Sequence, residues 1–103
     1  MTSHVPHLTV LSGGVGGAKF LHGLLTALDR APNQESPASV DVIVNTGDDM
    51  WFSGLRVCPD IDSVLYTLCG LNDEQRGWGR SDETYRTSAA LHELDDRWAW
   101  FTL

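Results

Sequence analysis

Residues 8–28 read LTVLSGGVGGAKFLHGLLTAL, and three patterns follow one another within them. The run from His7 to Leu11 is β-type. Its apolar residues, with Thr9 among them, suit a strand buried on both faces of a parallel sheet. Phe20, Leu21, Leu24, Leu25 and Leu28 then recur at helical spacing and predict an α-helix over about Val15 to Asp29. Between the two stand Gly13, Gly14, Gly16 and Gly17, four glycines in five residues. Glycine loses more backbone entropy on folding than any other residue, so this density needs a reason.

One reason is a phosphate cradle. Glycines allow a sharp turn after a strand and bring backbone N–H groups within reach of phosphate oxygens. The helix that follows adds its positive N-terminal end. The candidate phosphate-binding residues are Gly13, Gly14, Val15, Gly16 and Gly17, with Lys19 supplying a mobile positive charge. The other reading is a tight strand-to-helix turn that holds nothing. Two familiar motifs are excluded. A Walker A pattern counted from Gly13 meets Ala18 where it needs glycine and Phe20 where it needs Ser or Thr. A dinucleotide fingerprint counted from Gly14 and Gly16 meets Lys19 where it needs its third glycine. The turn thus indicates phosphate or diphosphate without specifying ATP or NAD.

Outward from this unit, RAPNQESPAS (30–39) reads as a loop on its two prolines and small polar residues. VDVIVN (40–45) is a second β-type run. Strand, glycine turn, helix, loop and strand make a βαβ unit with parallel strands. TGDDMWFSGLRVCP reads as a functional loop with a short extended piece near Leu55 to Cys58. A second helix is expected over Asp60–Leu71 and ends near Gly70. A third is expected over Ser81–Leu94, with Ser81 as N-cap and Asp82 and Glu83 in its first turn. The last residues include Trp98, Trp100, Phe101 and Leu103 with no polar tail, as expected where a longer α/β sequence is cut. The fold class expected is α/β. It is the N-terminal βαβ part of a doubly wound, Rossmann-like parallel sheet with helices on both faces. Residues 1–103 would form one nucleotide-phosphate-binding part of a single transferase domain.

In such a sheet, loops leaving the C-terminal ends of the strands share one edge. Asp48 and Asp49 in NTGDD (45–49) should then lie near the glycine turn, with Asp60 and Asp62 in PDID close by. Carboxylates beside a phosphate repel it unless a divalent cation is shared, and Mg²⁺ accepts one or two carboxylates with phosphate oxygens and water. Ordinary turn chemistry explains Asp48 and Asp49 equally well. Helix-dipole complementarity does the same for Asp60 and Asp62. Taken with the glycine turn, the candidate metal ligands are Asp48, Asp49 and Asp62. Trp51 and Trp78 are the candidates to cover a flat heteroaromatic ligand. The four histidines form no metal-binding pattern.

The formal net charge is −7, which argues against a nucleic-acid partner. No apolar run approaches the roughly 20 residues that span a bilayer. The N-terminus lacks a secretory pattern, so a cytoplasmic location without a membrane partner is expected. Cys58 and Cys69 lack CxxC spacing and read as two reduced, mostly buried thiols.

Together, LSGGVGGAKFLHGL, VNTGDDMWFSGLRVCPDIDSVLYTL and RGWGRSDETY resemble the 2-phospho-L-lactate transferase family (CofD/FbiA) in its actinobacterial form. The three blocks lie in the family's order and cover most of the chain. The resemblance implies biosynthesis of the deazaflavin coenzyme factor 420. A 2-phospholactyl group, or its phosphoenolpyruvyl equivalent, passes from a guanosine diphosphate conjugate to the deazaflavin alcohol Fo, and GMP leaves. It implies Mg²⁺ as cofactor, and that the acids at Asp48 and Asp62 hold metal or Fo. Asp62 becomes the candidate to orient the alcohol or take its proton, and Asp62 and Trp51 the candidates to contact Fo. Family members are roughly three times as long as this chain. The guanine pocket and much of the Fo site are therefore expected elsewhere, the chain alone is expected to be inactive, and the full-length form to be a homo-oligomer. Two competing readings are the nucleotide-binding domain of an oxidoreductase and an inactive fragment that folds against a partner chain. The first would want an acid at the tip of the second strand, where Asn45 stands.

Overall fold

A computed structural model describes residues 6–29, 38–52 and 54–98. Most of the loop expected at 30–39 lies outside the described residues, as do Trp100, Phe101, Leu103 and the side chain of Trp98. Strand β1 spans His7–Ser12, helix α1 Val15–Asp29 and strand β2 Ser39–Val44. β1 and β2 pair in parallel, with Val10 opposite Val42 and Ser12 opposite Val44. This is the expected α/β, Rossmann-like arrangement, and α1 has the bounds its apolar spacing implied.

Helix α2 spans Pro59–Leu68. Pro59 opens it, where a missing N–H costs nothing. Gly70, at φ +68°, lets the chain leave it. The Leu71 N–H reaches back to the Tyr66 carbonyl at 2.8 Å and the Gly70 N–H to the Thr67 carbonyl at 3.2 Å, a Schellman ending. α2 packs against α1. Ala18 and Leu21 of α1 and Val64 of α2 are buried, with Val10, Val42 and Val44 of the sheet packed on them. Both helices therefore serve the same sheet face. On the other face Leu11 is 79% and Ile43 58% exposed, so each strand alternates instead of being buried on both sides. His7 Nε2 and Asp41 Oδ2 meet at 2.9 Å on that face.

Three further expectations need correction. The short extended piece expected near Leu55 to Cys58 is strand β4 (Leu55–Val57), but it is half of an antiparallel hairpin with an unexpected strand β3 (Met50–Phe52), with Gly54 at φ +84° in its turn. The third helix, α3, spans only Arg86–Leu94, with Tyr85 before it at φ +54°. Ser81 is no N-cap. Asp82 pairs with Arg80, and Glu83 Oε1 accepts the N–H groups of Thr84 and Tyr85 at 2.9 and 3.1 Å. These local bonds hold the chain out of helix. A single 3₁₀ turn follows at Asp96–Trp98. Cys69 is exposed and Cys58 half-buried, both as free thiols, so the expected burial does not hold for Cys69. Among the described residues no helix is long and apolar enough to cross a membrane.

Candidate functional site

The glycine turn joins the C-terminal end of β1 to α1. The first helical bond runs from the Ala18 N–H to the Gly14 carbonyl at 2.9 Å. The amides of Val15, Gly16 and Gly17 precede it and lack a helical acceptor. No acidic side chain lies in the first turn of α1, so its own sequence does nothing to offset the positive end. The four glycines have no positive φ, so none is required by a left-handed backbone. Space divides them instead. A Cβ on Gly14 would stand 2.7 Å from Asp60 Oδ1, and one on Gly17 would stand 2.1 Å from Ser12 Oγ. A Cβ on Gly13 or Gly16 would meet nothing within 4 Å. The fold demands two of these glycines and leaves the other two facing open space.

Asp60, in the first turn of α2, is the carboxylate that meets the turn. Its Oδ2 accepts from Asn45 Nδ2 at 2.9 Å, and the Asn45 N–H bonds the Ser12 carbonyl at 2.8 Å. The end of β2, the end of β1 and the start of α2 are thus tied around the glycines. Sequence reasoning placed Asp48, Asp49 and Asp62 ahead of Asp60. The available signal was Asn45: an amide at a strand end needs partners, and a carboxylate at a neighbouring helix start is one.

Asp48 is exposed in the turn beyond Asn45, where the Asp49 N–H bonds the Thr46 carbonyl at 3.1 Å. Asp49 is nearly buried and lies 3.4 Å from Arg56 Nη2. Asp62 is half-buried. Burial first, and the charge of Asp49 second, push its carboxyl above the ordinary carboxylate range. The structure therefore brings Asp49 and Asp62 into electrostatic contact and puts Asp60 at the glycines. Among the described residues no three His, Cys, Asp or Glu side chains converge as a cation cage. Trp51 is exposed on the hairpin, with the Arg56 guanidinium 5.7 Å from its ring centre.

Two depressions flank the turn. A shallow one of about 440 Å³ is lined by Gly13, Ser12, Asn45 and Thr46 with Leu11 and Ile43. A deeper one of about 520 Å³ runs between α1 and α2 to the turn that carries Trp78, and Val15 and Lys19 are in its wall.

The family model for 2-phospho-L-lactate transferase CofD matches residues 8–97. The chain belongs to the CofD family. This CofD chain is 53% identical over 97 residues to a phosphoenolpyruvate transferase of Thermobifida fusca, covering 93% of the chain and 30% of that protein. It is 48% identical over 96 residues to the protein of that name from Kitasatospora aureofaciens, covering 93% of the chain and 28% of the relative. With that of Mycobacterium tuberculosis it shares 43% over 102 residues, 93% of the chain and 31% of the relative. The chain thus spans about 30% of the length of the curated relatives it matches.

Proposed function

We propose that this chain is the phosphate-binding part of a transferase in factor-420 biosynthesis. In this reading a 2-phospholactyl or phosphoenolpyruvyl group moves from a guanosine diphosphate conjugate to the alcohol of the deazaflavin Fo. The alcohol oxygen bonds to the phosphorus that carries the lactyl or enolpyruvyl oxygen. The bond from that phosphorus to the bridging oxygen breaks, GMP leaves, and the alcohol proton passes to a base.

The observation that carries this reading is the division of the glycines. Gly13 and Gly16 leave room that the fold does not use, beside amides that lack acceptors. A diphosphate oxygen is a partner of the right size and charge for that room. The relatives' names support a transferase of phosphorylated three-carbon groups.

Mg²⁺ suits the acids present. Asp62 and Asp49 repel one another, and Asp60 lies against the proposed anion site, so a divalent ion would relieve both conflicts. Because no three of the described carboxylates converge, the ion would take one or two of Asp60, Asp62 and Asp49, with phosphate oxygens and water completing its shell and Asp48 at the rim. The ion would neutralise charge on the phosphoryl oxygens. Asp62 is the residue we assign to orient the Fo alcohol and take its proton. Lys19 supplies a positive charge next to the turn. We further propose that turnover needs the rest of the family's length, that the longer proteins are homo-oligomers, and that they work in the cytoplasm.

The test is calorimetric binding of GDP to this chain with Mg²⁺ and with EDTA. Binding should need Mg²⁺ and should weaken about tenfold or more in Asp60→Asn, which removes a charge beside the ion, and in Gly16→Ala, whose methyl group enters the room assigned to the anion. GDP binding indifferent to all three changes would overturn the reading.

A further inference from the structure

The deeper cavity lies beyond the glycine turn but is continuous with it. Its wall starts at Val15, the first residue of α1, and runs past Lys19 and His22 on one side and Tyr66 of α2 on the other. Asn72 and Trp78 form its far end. At about 520 Å³ it is in the range of small-molecule sites. Its wall offers an indole, a phenol, an imidazole, one ammonium, one carboxylate (Glu74), an amide and two hydroxyls. Those groups suit a flat ring with a hydrogen-bonding edge better than a second phosphate or an aliphatic chain.

The Trp78 turn is built to be held still. Asn72 and Arg80 bridge its base. The Asp73 N–H bonds the Gly79 carbonyl and the Gly77 N–H bonds the Asp73 carbonyl, both at 2.9 Å. Gly77 and Gly79, at φ +79° and +75°, bracket the tryptophan in a backbone that side chains resist. Arg76 locks the turn from outside. Its Nε donates to Asp73 Oδ2 at 2.8 Å, one terminal nitrogen to the Arg80 carbonyl at 3.0 Å, and the other to the Tyr85 hydroxyl. Its guanidinium lies 5.3 Å from the centre of the Trp78 ring. One face of the indole is thus taken, yet Trp78 remains 58% exposed. A large aromatic fixed this firmly at the rim of a cavity is a stacking platform.

We propose that the α1–α2 cavity binds a planar heteroaromatic ring stacked on Trp78, with Lys19 and Asn72 on its polar edge and its phosphate arm leading back to the glycine turn. Two molecules of the proposed transfer carry such a ring, the guanine of the donor and the deazaflavin of the acceptor. The choice of probes rests on that reading; the cavity and the platform do not.

The experiment measures dissociation constants of this chain for GDP, by calorimetry with Mg²⁺, and for Fo, by quenching of its own fluorescence. Wild type, Trp78→Ala, Trp78→Phe and Lys19→Met are compared. The backbone bonds of the turn are independent of the indole, and circular dichroism checks that Trp78→Ala keeps its helices. One of the two ligands should lose about tenfold or more in Trp78→Ala, the range of base–aromatic stacking, and keep most of its affinity in Trp78→Phe. Lys19→Met should weaken that ligand several-fold, roughly the effect of one charged hydrogen bond, and should weaken GDP in either case because Lys19 also serves the phosphates; the ring assignment therefore rests on Trp78. The ligand affected identifies whose ring is held. Wild-type affinity of both ligands for Trp78→Ala, or no binding of either to wild type, overturns the proposal. Trp78-dependent binding of GDP that ignores Mg²⁺ and Asp60→Asn would instead overturn the transferase reading and leave the cavity assignment standing.

Discussion

Alanine at Gly16 and alanine at Gly17 should move stability in opposite directions, although both lie in the first turn of α1. In a helix interior Gly→Ala gains about 0.5–1 kcal/mol from backbone entropy and propensity. At Gly16 nothing stands within 4 Å of the new Cβ, so the whole gain should be realised. At Gly17 the new Cβ would lie 2.1 Å from Ser12 Oγ, 3.2 Å from Ser12 Cβ and 3.3 Å from its Cα. Rotation of the hydroxyl could relieve the first contact only by giving up its 2.9 Å bond to the Gly13 carbonyl, and Ser12 is just 5% exposed. The other two contacts require β1 and α1 to move apart. Such overpacking costs about 1–3 kcal/mol, which offsets or exceeds the gain. The two variants should therefore differ by roughly 1–3 kcal/mol, or at least about 4 °C in Tm for a domain of this size. Thermal denaturation followed by circular dichroism reads the gap. The double variant Ser12→Ala/Gly17→Ala should recover part of the loss, because it removes the shortest contact. Equal stabilisation by Gly16→Ala and Gly17→Ala would refute the steric account of the turn.

Asp62 and Asp73 should give opposite pH signatures. The Asp62 carboxyl is raised by burial and by Asp49, so its ionised form weighs against folding above that raised pKa, and the penalty fades as pH falls through it toward the ordinary 3.8. Asp62→Asn should melt higher than wild type at pH 7 in EDTA, with the difference closing in acid; a pH-independent difference would refute this. The Asp73 carboxyl is held below the ordinary range, first by the Arg76 backbone N–H and then by its guanidinium. Its stabilisation is present above the unfolded value and is lost as pH falls through the lowered one. Asp73→Asn should therefore melt lower than wild type at neutral pH and match it in strong acid, and urea melts across that range would show whether the deficit fails to close.

What was legible in the sequence is what rests on periodicity. The spacing of Leu21, Leu24, Leu25 and Leu28 set α1, and the apolar runs at Leu8–Leu11 and Val40–Val44 set two parallel strands. Of the hairpin, only the second strand was legible, as an extended piece near Leu55 to Cys58. The hairpin's strands are three residues each, too short to show alternation, and Met50 and Trp51 are apolar yet exposed. The start of α3 was misread because Ser81, Asp82 and Glu83 are the residues that cap helices, and here Asp82 pairs with Arg80 and Glu83 accepts the Thr84 and Tyr85 amides instead. In the site, the glycines were legible as a turn, but the reason for each was not. Distances across the fold decide it, and neither Ser12 nor Asp60 advertises its proximity by spacing.

That difference matters for the acids as well. Proximity in sequence to the second strand favoured Asp48, whose side chain turns out to be exposed. The carboxylate at the turn is Asp60, fifteen residues beyond Asn45 in the first turn of α2, and it is held there by that asparagine. An aspartate that Asn45 holds by one oxygen keeps the other free to share a cation with a phosphate. An aspartate restrained by nothing would swing away from an anion. Under the proposed function, the Asn45–Asp60 bond is the feature that would let a carboxylate and a diphosphate occupy one corner.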